Sequence, residues 1–203
     1  VQGFPVRLRP LTTALALGAL VATPAGAADG PLLAPPGTCA NDNSVGASPD
    51  TMEAAIGCLV NHARRAHGAP ALPRGSRLAR SAQMKADLIV KCDQFAHSPC
   101  GRPWAEVFRE AGYRGWAREV LATGTGELGT ARAAMEMWLN SPNHREAILA
   151  PEWTAFGIGV RAPVTLEGTE DAAVFTAHFG RPPSRPSERQ PGDALRSRKW
   201  PHR

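Results

Sequence analysis

The chain has 203 residues, 43% of them hydrophobic, with a formal net charge of +5, which suits one ordinary domain with a real core plus loose ends. Residues 181–203 carry seven Lys/Arg against Glu188 and Asp193, which accounts for the whole surplus, while residues 28–180 come to −2. The basic balance therefore describes a tail and is no evidence that the folded domain binds nucleic acid, and no nucleic-acid partner is expected. Residues 1–27 read as a secretory signal: Arg7 and Arg9 form the charged start, Leu11 to Val21 the apolar run, and Ala25-Gly-Ala27 a small-residue cleavage site. The apolar run is shorter than the ~20 residues a membrane helix needs, so the protein is expected to be secreted.

Residues 28–50 hold Pro31, Pro35, Pro36 and Gly37 with few large apolar groups, and read as a flexible linker. Asp50-Thr-Met-Glu53 reads as a capping box opening a helix that runs to about His67, with Met52, Ile56, Leu59, Val60 and Ala63 on its buried face. His62 and His67 fall on its solvated side. Residues 74–91 form a second amphipathic helix with Leu78, Ala82, Ala86 and Ile89 on one stripe. Pro103 opens a short helix whose buried side holds Trp104, Val107, Phe108 and Ala111. Residues 116–123 are extended, and a helix from Thr130 buries Ala131, Ala134, Met135, Trp138 and Leu139. It breaks at Ser141-Pro142 and restarts at His144, among backbone groups that lack helical partners. Residues 156–160 and 173–179 read as strands, joined by a polar turn over 163–171. Residues 181–203, with five prolines and scattered charge, read as a disordered tail.

Four cysteines in an exported chain allow three pairings. The favoured one joins Cys39 to Cys58, tying the leading segment to the first helix, and Cys92 to Cys100, closing a short loop around His97. A rival assigns Cys92, His97 and Cys100 to zinc, but it lacks a second ligand pair and needs reduced thiols outside the cell. Gly124-Thr-Gly-Glu-Leu-Gly129 matches a dinucleotide-loop spacing without the parallel strand and acidic end that such a unit needs, and reads as a connection. Ser98 and Ser141 adjoin no nucleophile elbow, and no His-Glu-x-x-His zinc-protease signature is present.

Six separated words occur in order: Leu59-Val-Asn61-x-x-Arg64, Phe95-Ala-His97-Ser, Ala111-Gly-Tyr113, Glu119-x-Leu121, Trp138-x-x-Ser-Pro-x-His144-Arg and Phe156-Gly-Ile-Gly-Val160. Together they resemble the CAP superfamily of cysteine-rich secretory proteins, antigen 5 and pathogenesis-related proteins, in its compact bacterial secreted branch, over residues 51–180. The resemblance implies an α+β fold, a three-layer α/β/α sandwich with a small antiparallel sheet between helices. It also implies a cleft lined by two histidines and acidic residues that binds a divalent metal in some members. His97 and His144 match the two histidines and Glu119 the first acidic residue. Val120 stands where the family usually has Asn, and Ser141 where a second glutamate often stands; Glu136, nearby in sequence, lies on the polar side of its helix.

Two imidazoles and a carboxylate suffice to hold Zn2+ or another divalent cation, with water as the fourth ligand, and such a site could support hydrolysis. The alternative is a polar cluster in which Glu119 accepts hydrogen bonds from the imidazoles and fixes the cleft wall. His178 reads as structural. The resulting expectation is a monomeric extracytoplasmic binding module whose cleft, around His97, Glu119 and His144, takes a metal or a small apolar, lipid-like ligand. Its basic tail could meet an anionic cell surface. The alternative is a metal-dependent, peptidase-like hydrolase using the same three residues.

Overall fold

A computed structural model describes residues 31–183. The expected secretory signal and nearly all of the basic tail lie outside the described residues. Helices α1 (Pro49–Ala66) and α2 (Ser76–Cys92) are followed by a short α3 (Glu106–Glu110) and strand β1 (Trp116–Thr125). Helices α4 (Ala131–Asn140) and α5 (Pro142–Leu149) then lead to strands β2 (Ala155–Leu166) and β3 (Thr169–Arg181). The three strands form one antiparallel sheet in the order β1-β3-β2. Helices α1, α4 and α5 cover one face, and α2 with α3 the other, which is the expected α/β/α sandwich.

The strand alternation sorts the residues between the two faces. Phe156, Ile158, Val160, Ala173, Phe175, Ala177 and Phe179 point into the larger core with Ile56, Leu59, Met135 and Trp138. On the opposite face of β2 stand Gly157 and Gly159, where a Cβ would overlap the backbone of Leu78 and Ala79, or of Ala82 and Gln83. The Phe156-Gly-Ile-Gly-Val160 word thus codes for a strand that is bulky toward α1 and bare toward α2. Bare positions let the α2 backbone lie directly on the sheet.

Several element boundaries differ from the sequence expectation. The linker reading fails beyond residue 30: Ala34, Cys39 and Asp42 are buried, and Arg132 of α4 donates to the Ala34 carbonyl at 2.9 Å and pairs with Asp42 at 2.6 Å. Polar anchoring replaces the apolar layer that composition could not supply. The cap of α1 is Ser48, whose Oγ accepts from the Thr51 amide at 3.3 Å, with Pro49 in the first turn. Glu53 is taken instead by Arg74 at 2.7 Å. Trp104 precedes α3 and is 41% exposed rather than buried. The β2–β3 turn is only Glu167-Gly168, both at positive φ, so the strands extend well past the expected polar turn.

Both favoured disulfides are present, Cys39–Cys58 and Cys92–Cys100. Pairing removes the thiolates that the zinc reading of Cys92 and Cys100 needs.

Replacing Gly157 with Ala should lower stability by about 1–3 kcal/mol, the range for overpacking a filled interior, read as a reduced denaturant midpoint. An unchanged midpoint would contradict the close contact of α2 with β2.

Candidate functional site

Strand β1 is a sheet edge, so chain from both helical layers can meet beside it. Its Glu119 points toward α2, directly across the ladder from His178 of β3. The Glu119 carboxylate is almost wholly buried and has three donors. His97 Nδ1 lies 2.6 Å from Oε1, while His178 Nε2 and Lys85 Nζ lie 2.8 and 3.3 Å from Oε2. Burial alone would raise the carboxyl; hydrogen bonds from His178 and His97, with the charge of Lys85, overcome that and hold it at about 2. Glu119 is therefore an anion over the whole physiological range.

Lys85 is the counter-ion. Its side chain is 1% exposed, and its ammonium has three donors and three acceptors: Glu119, the His97 carbonyl and the Trp104 carbonyl at 3.4 Å. Burial pulls its pKa below the ordinary lysine value, opposed by Glu119. Two of those acceptors belong to the irregular segment between α2 and α3, so one ammonium fixes both the His97 loop and the approach to α3. The same loop is tied elsewhere by Cys92–Cys100, by the Cys100 amide donating to Gln94 Oε1 at 2.7 Å, and by the Phe95 amide donating to Glu167 Oε1 at 2.9 Å.

His178, read as structural, is fully buried and braces the carboxylate from behind. Its pKa is lowered by burial, against the opposing pull of Glu119, so the ring is neutral. A neutral ring that donates Nε2–H to Glu119 leaves Nδ1 as an acceptor 2.8 Å from Ser81 Oγ, whose single proton is shared between that nitrogen and the Leu78 carbonyl at 2.9 Å. Ser81, His178 and Glu119 thus follow the connectivity of a catalytic triad. Ser81 is sealed in the interior, however, with Phe108 packed 4.3 Å from the His178 ring, so its hydroxyl meets no substrate.

His144 arrives from the other layer, in the first turn of α5. Arg64 positions that helix by donating to the carbonyls of Ile148 and Ala150 at 2.6 and 2.9 Å, and to Pro70 at 2.9 Å. Asn61 fixes the neighbouring loop through two hydrogen bonds with the Leu72 backbone, at 2.8 and 3.0 Å. Trp138 Nε1 donates to the Leu121 carbonyl at 2.9 Å, locking α4 to β1 two residues beyond Glu119. Partial burial lowers the His144 pKa, with a smaller effect from His97 in the same direction. The His97 side chain is 55% exposed.

The structure therefore brings Glu119 and His97 together directly, with Lys85, Ser81 and His178 added from within, while His144 makes no hydrogen bond to this group. The donor set does not fit the expected three-ligand metal centre. Both Glu119 oxygens are engaged by the chain's own donors, a buried ammonium occupies a cation's place beside Oε2, and no group of three His, Cys, Asp or Glu side chains among the described residues is arranged to hold an ion. Hydrogen-bonded polar cluster is the better description, with His178 rather than His144 as the second imidazole on Glu119. The missed residues do carry a signal. Ser81 and Lys85 lie on the same stripe of α2 as Leu78, Ala82 and Ile89, where a solvated residue has no place.

Beyond Trp104 runs an open groove of about 460 Å³ lined by Trp104, Phe108, Tyr113 and Trp116, with Arg109 and Arg114 on its rim. It adjoins the polar cluster, because Trp104 shares Lys85 with His97 and Phe108 covers His178.

Known proteins share both the sequence pattern and the fold. The profile of the cysteine-rich secretory protein family (CAP) matches residues 59–170. An extracellular protein containing an SCP domain from Bacillus anthracis has a similar structure, at 22% identity and a TM-score of 0.53 over 68% of this chain and 45% of that one. An outer surface protein from Borrelia burgdorferi is similar at 20% identity and a TM-score of 0.52, over 63% of this chain and 90% of that one. At these identities the likeness concerns the fold, and this chain spans less than half the length of the Bacillus protein. No curated protein matches the chain.

Acid should destabilise the domain in two steps. Below about pH 6.5 the unfolded chain binds a proton at His178 that the folded state resists. From about pH 4.5 down to about 2, protonation of Glu119 favours the unfolded chain again. Urea titrations across pH should show the lower step in wild type and a strongly reduced one in Glu119→Gln; equal pH slopes would contradict the assignment.

Proposed function

The chain belongs to the cysteine-rich secretory protein (CAP) family, and we propose that it is an exported binding module whose cleft takes a small lipid-like ligand. The observation that carries this reading is the engagement of both Glu119 oxygens by donors of the chain itself. A carboxylate already accepting from His97, His178 and Lys85, buried against an ammonium and with its pKa held at about 2, is a weak and shielded general base. Burial of Ser81 likewise argues against a covalent route. What remains accessible is recognition. His97 and His144 offer ring nitrogens to a polar head, and the groove from Trp104 to Trp116 offers aromatic surface to an apolar chain.

Export is supported by the signal-like start of the sequence, by two disulfides suited to an oxidising compartment, and by neighbours in fold that are extracellular or outer-surface proteins. Among the described residues no helix is long and apolar enough to cross a membrane.

Titration of the full chain with a single-chain fatty acid should quench tryptophan emission saturably. Trp104→Ala and His144→Ala should each weaken binding about tenfold, roughly 1.4 kcal/mol. Absence of saturable binding, together with zinc-dependent turnover of peptide substrates, would replace this reading with the hydrolase.

A further inference from the structure

We propose that the face carrying Trp104 and Trp116 is a docking surface for an anionic lipid bilayer. Trp116 is 62% exposed and Trp104 41%, and both line one open groove between α3 and the start of β1. Two exposed indoles in a single groove mark an interaction surface. The charged side chains lining it are Arg109 and Arg114, both exposed, and the Arg181 guanidinium sits 5.4 Å from the Trp116 ring centroid. None of these three arginines has an ion-pair partner among the described residues. The carboxylates of α3, Glu106 and Glu110, are both held by Arg102. Residues 28–180 come to a net charge of −2, so this group of unneutralised guanidiniums runs against the charge of the domain.

The platform is held rigid from below. Tyr113 Oη lies 2.9 and 3.2 Å from the carbonyls of Arg181 and Trp116, which ties the loop after α3 to the ends of β3 and β1. Gly115 and Gly180 make room for that phenol, since a Cβ on either would overlap its oxygen. Phe108 packs 5.5 Å from Trp104 and 6.2 Å from Tyr113 between ring centroids. The aromatic surface is therefore set before contact, and little conformational freedom is lost on binding. A bilayer interface satisfies both kinds of group at once. Lipid phosphates accept from the guanidinium forks, and indoles settle at headgroup level, where an apolar ring and a polar N–H are both accommodated. A second copy of the same face would be repelled by its arginines.

Docking is contact with the bilayer surface and requires no lipid to enter the His97 cleft, so it stands apart from the ligand reading. The full chain should sediment with vesicles of phosphatidylcholine and phosphatidylglycerol about tenfold more tightly than with phosphatidylcholine alone, and added salt should weaken it. Arg109→Gln and Arg114→Gln should each lower that affinity about fivefold. Brominated lipid in the vesicles should quench the tryptophan emission of the sedimented protein. Combining Trp104→Phe with Trp116→Phe should remove most of the quenching, because Trp138 and Trp153 are buried. Both substituted positions are surface side chains, so the double variant keeps its fold. Absence of sedimentation would overturn the proposal, and arginine-dependent binding to polyglutamate in that case would assign the face to an acidic protein. Quenching of protein that stays in the supernatant would also overturn it, while supporting uptake of single lipids by the cleft. Sedimentation with undiminished quenching in the double variant would place the contact at Trp200 of the basic tail and overturn it as stated.

Discussion

The ion pair of Lys85 and Glu119 is the contact on which the site depends. Neither charge is there because burial favours it: withdrawing each ion from water costs several kcal/mol, and their attraction does little more than offset that. What the pair supplies is geometry. The three protons of the ammonium are shared among a strand carboxylate and two carbonyls of a segment with almost no regular structure. The two oxygens of the carboxylate, in turn, set the His97 and His178 rings. An apolar pair of equal volume could fill the space, but it could not specify where the His97 loop runs.

The sandwich brings that pair together. Gly157 and Gly159 strip one sheet face so that α2 can lie against it, and this depth places Lys85 level with β1. On the other face Trp138 and Arg64 fix α4 and α5 by polar contacts to named carbonyls. The polar cluster forms at the β1 edge, where the His97 loop meets Glu119 and α4 is tied to Leu121. Rigid elements hold the polar floor, and the more exposed groups, His97, Trp104 and Trp116, sit at its margin.

Much of this is legible in the sequence. The principal helices and strands around the site follow from apolar periodicity, and the favoured disulfides from the cysteine positions. His97, Glu119 and His144 emerge from separated motifs, and the structure places them on the elements expected. The less legible features are those set by long-range polar partners. The leading segment reads as a linker because it lacks large apolar residues, yet Asp42 and Arg132, ninety positions apart, hold it down. Residue type assigns Trp104 to a buried face, although the chain there is shaped by Lys85. Lys85 itself reads as an ordinary helix lysine. Its place on the apolar stripe of α2 is visible, but its partner on a strand thirty-four positions later is not.

Hydrogen exchange on residues 93–105 in a Lys85→Met/Glu119→Gln double variant tests the central claim most directly. Removing both charges leaves no uncompensated ion, so global stability should stay close to wild type. The account predicts that the loop amides nonetheless exchange at least tenfold faster, while α1, α4 and β3 keep their protection. Unchanged loop protection in a stably folded double variant would contradict it, and would mean that the disulfide and neighbouring turns hold His97 in place without the ion pair.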